Sequence, residues 1–90
     1  MNISYKVKYK RKAEKFIKSN REIGIKYLLA FDDISKNFNN IKKYYIKRLA
    51  QDKNIKNNCT YRLRISKYRA IFEVLEEIKV IDVQDINSRG

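Results

Sequence analysis

Two runs of alternating residues, "YRLRI" (61–65) and "YRAIFEVL" (68–75), are separated only by Ser66-Lys67. A period of two marks strands with one buried face, and a two-residue spacer between such runs predicts a hairpin. Tyr61, Leu63 and Ile65 share one face of the first strand, and Ala70, Phe72 and Val74 share one face of the second. Arg62 and Arg64 take the opposite face, about 6–7 Å apart from the rise per residue. Arg69 joins them across the ladder if the two strands pair. The chain otherwise prefers lysine, with 15 Lys to 7 Arg, so three arginines in eight positions need a reason. Close like charges on a sheet cost stability unless something negative sits between them. Glu73, on the face of Arg69 by simple alternation, offers partial relief. A phosphate fits better, because guanidinium forks grip its oxygens bidentately and lysine does not reproduce this.

The flanking segments place this hairpin in a fold. "ISYKVKY" alternates as a half-buried strand, and "RKAEKFIKSN" puts Ala13, Phe16 and Ile17 on one helical face. Ser19 with Glu22 three residues later has the spacing of a capping box, which predicts a second helix from there. Its apolar positions Ile23, Tyr27, Ala30, Phe31, Ile34 and Phe38 recur at three- and four-residue steps, and "NFNN" is a stop signal. Residues 42–58 hold either a short strand or a turn around Tyr45–Leu49, followed by a polar loop. Glu76-Glu77 turns the chain into a last strand, "IKVIDVQDI". The order is β-α-α-β-β-β. The expectation is one α+β domain over residues 1–90, a helical hairpin packed on a mostly antiparallel four-stranded sheet.

The net charge of +12 calls for a polyanionic partner: nucleic acid, an anionic membrane or an acidic protein. Ten bases stand against one acid in residues 41–69, the block that contains the hairpin. Lys42, Lys43, Lys47, Arg48, Lys53 and Lys56 are its RNA-binding candidates; Lys6, Lys8, Lys12, Lys15 and Lys18 read equally well as a solvated face. Tyr44 and Tyr45 either stack on bases or pack. No apolar run approaches the roughly 18 residues of a membrane span, and no apolar segment follows the basic start, so a cytoplasmic chain is expected. There is no His and one Cys, Cys59, which excludes His-based acid–base catalysis and a zinc constellation; no metal or cofactor is expected. Asp82 and Asp85, three apart on one strand, are expected to point to opposite faces.

"YYIKRLAQDKN", "YRLRISKYRAIFEV" and "IKVIDVQDINSRG" together resemble the RelE/ParE superfamily of bacterial toxin–antitoxin toxins. The hairpin is the most specific part, being similar to the family's strand pair of Tyr-Arg-aliphatic-Arg followed by Tyr-Arg. The resemblance implies a type II toxin neutralised by an antitoxin protein. In the RelE branch such a toxin cleaves messenger RNA on the ribosome; in the ParE branch it poisons DNA gyrase. Arg62, Arg64 and Arg69 match the basic residues of the RelE-like hairpin, and Arg89 matches the basic residue ending the last strand. Four arginines at these sites favour the RNA-cleaving branch. A non-catalytic RNA-binding homologue is the remaining alternative.

Cleavage without metal proceeds by attack of the 2′-OH on phosphorus. Arginine can hold the resulting phosphorane but is a poor proton-transfer group. Lys67, Tyr68 and Glu73 are the nearest proton-transfer candidates in sequence. Two departures from the family pattern matter. Ser66 stands where the hairpin usually has glycine, so a different turn is expected. The sequence also ends at Gly90, where RelE-like chains often continue to a Tyr, which implies slower cleavage.

Overall fold

The computed structural model describes residues 4–51 and 58–88. The elements run β1 (Lys6–Tyr9), α1 (Arg11–Ser19), α2 (Arg21–Lys36), a 3₁₀ segment (Phe38–Lys43), β2 (Tyr45–Gln51), β3 (Cys59–Ile65), β4 (Tyr68–Leu75) and β5 (Val80–Ser88). The fold is α+β: the two helices cover one face of a mixed sheet with strand order β1-β5-β4-β3-β2. Among the described residues β1 and β5 run parallel and the other pairs are antiparallel. Five strands are present among the described residues, one more than the expected four. The extra strand is β2, which pairs with β3 from Tyr45 opposite Arg64 to Gln51 opposite Cys59. Its sequence "YIKRLAQ" is too short and too basic to show a clear period, and a register shift at Leu49 breaks what period there is.

The core lies between the sheet and α2. Tyr27, Ala30, Phe31 and Ile34, spaced by three and four along α2, are buried against Leu63, Ala70, Phe72, Ile81 and Val83. Phe31 meets Phe72 edge-on at 5.1 Å between ring centroids, and Tyr61 stacks on Phe72 at 5.4 Å. The buried Tyr27 hydroxyl donates to the Leu63 carbonyl at 3.2 Å, fixing α2 over β3. α1 packs on β5 through Ala13 and closes against α2 at Gly24. A Cβ at Gly24 would sit 2.9 Å from the Ile17 carbonyl oxygen, so only glycine allows this approach.

The capping box does not form. Ser19 is the last residue of α1, and Asn20 alone joins the helices. Asn20 uses its side-chain nitrogen on the Phe16 carbonyl at 3.0 Å, so its side chain closes α1 and does not cap α2. With a one-residue joint, Ser19 cannot leave the helical conformation to act as an N-cap.

The β3–β4 turn is tight despite lacking glycine. Ser66 takes a φ of 56°, a left-handed value at the first central position, as a type II′ hairpin turn requires. The different turn expected from the missing glycine is therefore not what forms. Serine carries the strain, and β3 and β4 stay in register from Cys59 opposite Val74 to Ile65 opposite Tyr68.

Candidate nucleic-acid interface

Register fixes the open face of the sheet. Arg64 stands directly opposite Arg69, and Arg62 opposite Ile71. On one side, β2 sets Tyr45 against Arg64 and Lys47 against Arg62. On the other, β5 sets Asn87 against Arg69 and Asp85 against Ile71. Two cross-strand rows result, Tyr45–Arg64–Arg69–Asn87 and Lys47–Arg62–Ile71–Asp85. A third row, Thr60–Glu73–Asp82–Lys8, lies beyond them. Neighbours within a row are about 5 Å apart and rows about 6–7 Å apart. Leu63 and Ala70, between these positions, face the helices and are buried. The three hairpin arginines thus share the face that the helices leave uncovered.

Charge along this face is graded. The first two rows carry Lys47, Arg62, Arg64 and Arg69; the carboxylates Glu73, Asp82 and Asp85 lie toward β5 and the third row. Asp85 lies 3.8 Å from Lys12 Nζ, and Asp82 lies 3.6 Å from Lys10 Nζ. Among the described residues, no carboxylate forms an ion pair with Arg62, Arg64 or Arg69. The Nε of Arg64 donates to the Ser66 carbonyl at 3.3 Å, and that of Arg69 to Asn87 Oδ1 at 3.5 Å. Asn87 is held in turn by donating to Asp85 at 2.8 Å. In each of these two arginines the contact uses the inner nitrogen and leaves the terminal fork free for bidentate contacts.

Asp82 and Asp85 share the open face, contrary to the expectation from simple alternation. A bulge in β5 between the Asp85–Ile71 and Val83–Phe72 pairs inserts Gln84 and restores the carboxylates to one side. Gln84 donates to Glu73 at 3.4 Å. Glu73 is therefore on the arginine face, diagonal to Arg62.

The other proton-transfer candidates are placed elsewhere. Tyr68 faces the helical layer, packed edge-on against Phe16 at 5.4 Å. Lys67 sits at the turn with its ammonium 5.7 Å from the Tyr68 ring centroid. The RNA-binding candidates also divide. Lys47 joins the arginines. Arg48, opposite Tyr61, falls on the helical side and lines a depression of about 450 Å³ with Cys59, Glu76 and Lys79. Lys42 and Lys43 close the 3₁₀ segment, where Lys43 pairs with Asp33 at 3.6 Å. Lys53, Lys56 and Arg89 lie outside the described residues.

The two adjacent tyrosines differ. The Tyr44 hydroxyl donates to Asp33 at 2.8 Å, and its pKa is pushed up to about 12 by burial and by that carboxylate. Tyr44 packs. Tyr45 is 85% exposed on the arginine face. Lys12, Asp85, Asn87 and Tyr45 complete the surroundings of the site. Register reveals Asp85 and Asn87, and the ion pair with Asp85 brings in Lys12.

No protein-family model matches the sequence, and no curated protein matches it. Solved structures similar to it in three dimensions include two toxin–antitoxin complexes. One is an archaeal RelE–RelB complex from Pyrococcus horikoshii OT3, with TM-score 0.81, 24% identity and 97% of each chain covered. The other is the toxin–antitoxin complex RelBE2 from Mycobacterium tuberculosis, with TM-score 0.68 and 18% identity over 97% of this chain and 93% of that one. Element order, the helix-covered sheet and these likenesses agree along the whole length: the chain has the RelE fold.

Proposed function

We propose that this chain is the toxin of a type II toxin–antitoxin pair and a ribosome-dependent endoribonuclease acting on messenger RNA in the cytoplasm. The observation that carries the proposal is the direct opposition of Arg64 and Arg69, with Arg62 one row away, on a sheet face that the helices leave open. Three guanidinium groups at this spacing suit one phosphate that gains charge as the 2′-OH attacks. The bond from the 2′ oxygen to phosphorus forms, the bond to the 5′ oxygen breaks, and the leaving oxygen takes a proton from water. The arginines hold the phosphorane, and Glu73, diagonal to Arg62 on the same face, accepts the 2′ proton directly or through water; Asp85, the other carboxylate beside the arginines, is engaged by Lys12 and Asn87. Lys47 continues the cationic surface along the RNA backbone, and ribosomal RNA is the larger polyanion that the remaining basic residues meet.

An antitoxin supplies the acidic counterpart. α2 presents Ile25, Leu28 and Leu29 to solvent. Leu29 also lines a depression of about 480 Å³ with Lys26, Lys43, Tyr45 and Arg64. An apolar floor ringed by cations suits an acidic amphipathic segment, which would cover Arg64 while it docks.

The placement of Lys67 and Tyr68 away from the arginines favours a second reading, an RNA-binding homologue that clamps the strand and does not cut it. A cleavage time course on messenger RNA loaded on ribosomes separates the two. Products in the presence of ribosomes, lost in Arg69→Ala, support the enzyme; binding without products supports the clamp. Inhibition of gyrase supercoiling with neither would overturn both.

A further inference from the structure

Six of the seven tyrosines are packed into the protein: Tyr27 is buried, and Tyr5, Tyr9, Tyr44, Tyr61 and Tyr68 lie against the core. Tyr45 is the exception, at 85% exposure. Its ring makes no aromatic contact and its hydroxyl no hydrogen bond among the described residues. It lies on an edge strand, beside β3 only, and its surroundings are specific. Arg64 stands directly opposite it, Lys47 is two residues along the same face, and Arg62 is opposite Lys47. Tyr45 and Arg64 together line three adjoining depressions, of about 290, 370 and 480 Å³. Space for a flat ring is therefore open beside the tyrosine.

We propose that Tyr45 is a stacking platform for one unpaired base of the RNA strand whose phosphate the Arg62–Arg64–Arg69 cluster holds. The inference rests on the RNA reading of that cluster and adds the part that positions the strand. Single-stranded nucleic acids are held by an aromatic ring for the base beside cations for the backbone, and every base has a face to offer. Cross-strand neighbours about 5 Å apart put the ring and the guanidinium of Arg64 within the span of one nucleotide. A base fixed on Tyr45 limits rotation about the sugar–phosphate bonds next to it, which is what in-line attack by the 2′-OH needs. A paired base cannot reach the ring, so the platform also selects unpaired RNA. Tyr45 is a positioning residue in this scheme and moves no proton.

The test uses the whole protein and a short single-stranded RNA, with 2-aminopurine placed at each position in turn. Binding is read by anisotropy and stacking by quenching of the aminopurine. Wild type should quench one position strongly. Tyr45→Leu should abolish that quenching and weaken binding about tenfold, and Tyr45→Phe should keep both. An abasic site at the quenched position should weaken wild type by about the same factor and leave Tyr45→Leu unaffected, a coupling that general damage would not produce. Quenching and affinity that survive in Tyr45→Leu would overturn the platform, with the arginine site still standing. Failure of wild type to bind the RNA would overturn the RNA reading, and the platform with it.

Discussion

Arg64 and Arg69 face one another across the β3–β4 ladder with no carboxylate between them among the described residues. Directly opposed like charges destabilise a sheet. Arg64→Thr is expected to raise unfolding stability by about 0.5 kcal/mol at low salt, and less as added salt screens the pair. The same substitution should weaken RNA binding. Chemical denaturation at two ionic strengths measures the first effect. A loss of stability in Arg64→Thr would mean that the pair is not repulsive in the folded protein.

RNA held by this face should show a steep dependence on salt, because each neutralised phosphate releases condensed cations. Replacing Lys47 or Arg62 by Ala should lower the slope of log affinity against log salt by about 0.7 each for a single strand. Arg48→Ala should leave the slope nearly unchanged, since Arg48 lies on the helical side. Titrations of the three variants against one RNA compare them directly. Equal changes from all three would deny the open face its special role.

Leu29 is 66% exposed on α2 and contributes nothing to the core. Leu29→Glu should leave the melting temperature within a few degrees of wild type while weakening an acidic antitoxin by tenfold or more, through lost apolar contact and new repulsion. Calorimetric titration with the purified antitoxin reads the affinity, and an unaltered value would place the antitoxin elsewhere.

The Tyr5 hydroxyl donates to Glu76 at 2.6 Å, tying the start of β1 to the turn before β5. Burial first, then Glu76, pushes the Tyr5 pKa up to about 12. Burial alone would raise the Glu76 carboxyl, but Tyr5 and Lys79 outweigh it and hold that pKa below the ordinary value. The carboxylate's contribution is therefore present above the unfolded pKa of Glu and fades as pH falls through the lower folded value. The tyrosine's contribution is present below about pH 10 and fades as pH rises toward 12. Tyr5→Phe should cost about 1–2 kcal/mol at neutral pH and little at strongly acid pH. Urea unfolding across the pH range measures it, and a cost that persists unchanged in acid would count against the bond.

Gly24→Ala sets two effects against each other. Alanine favours a helix by about 1 kcal/mol. Its Cβ would press on the Ile17 backbone at 2.9 Å, and overpacking of this kind costs about 1–3 kcal/mol. The carbonyl is held in α1 and cannot swing aside as a flexible side chain would. A net loss of about 1 kcal/mol is expected in thermal unfolding, and a gain would show that α1 shifts freely.

Where one face of an element is apolar, its place was legible in the sequence. Tyr61, Leu63 and Ile65 against Ala70, Phe72 and Val74 define the hairpin and, with it, the face that carries Arg62, Arg64 and Arg69. α2 announces itself through Tyr27, Ala30, Phe31 and Ile34. What was hidden depends on single-residue geometry. β2 has no sustained period, Asn20 took the position that the Ser19 box implied, and the bulge at Gln84 moved Asp85 to the side of Asp82. Tyr68 was grouped with Lys67 and Glu73 by nearness in sequence, but neighbouring strand positions point to opposite faces. Glu73 alone of the three shares the face of the arginines.

β5 is the last strand of the described residues in sequence but lies inside the sheet, between β1 and β4. Until it is added, β1 has no strand neighbour among the described residues, and the β2–β3–β4 meander ends in an open edge at β4. The local contacts of the hairpin form early, whereas β1 must wait for a partner more than seventy residues away, the slow kind of closure. β5 also brings Asn87, the residue that steers Arg69. The order of synthesis thus orders this face: the hairpin can pair before the strand that carries Asn87, the partner of Arg69, is complete.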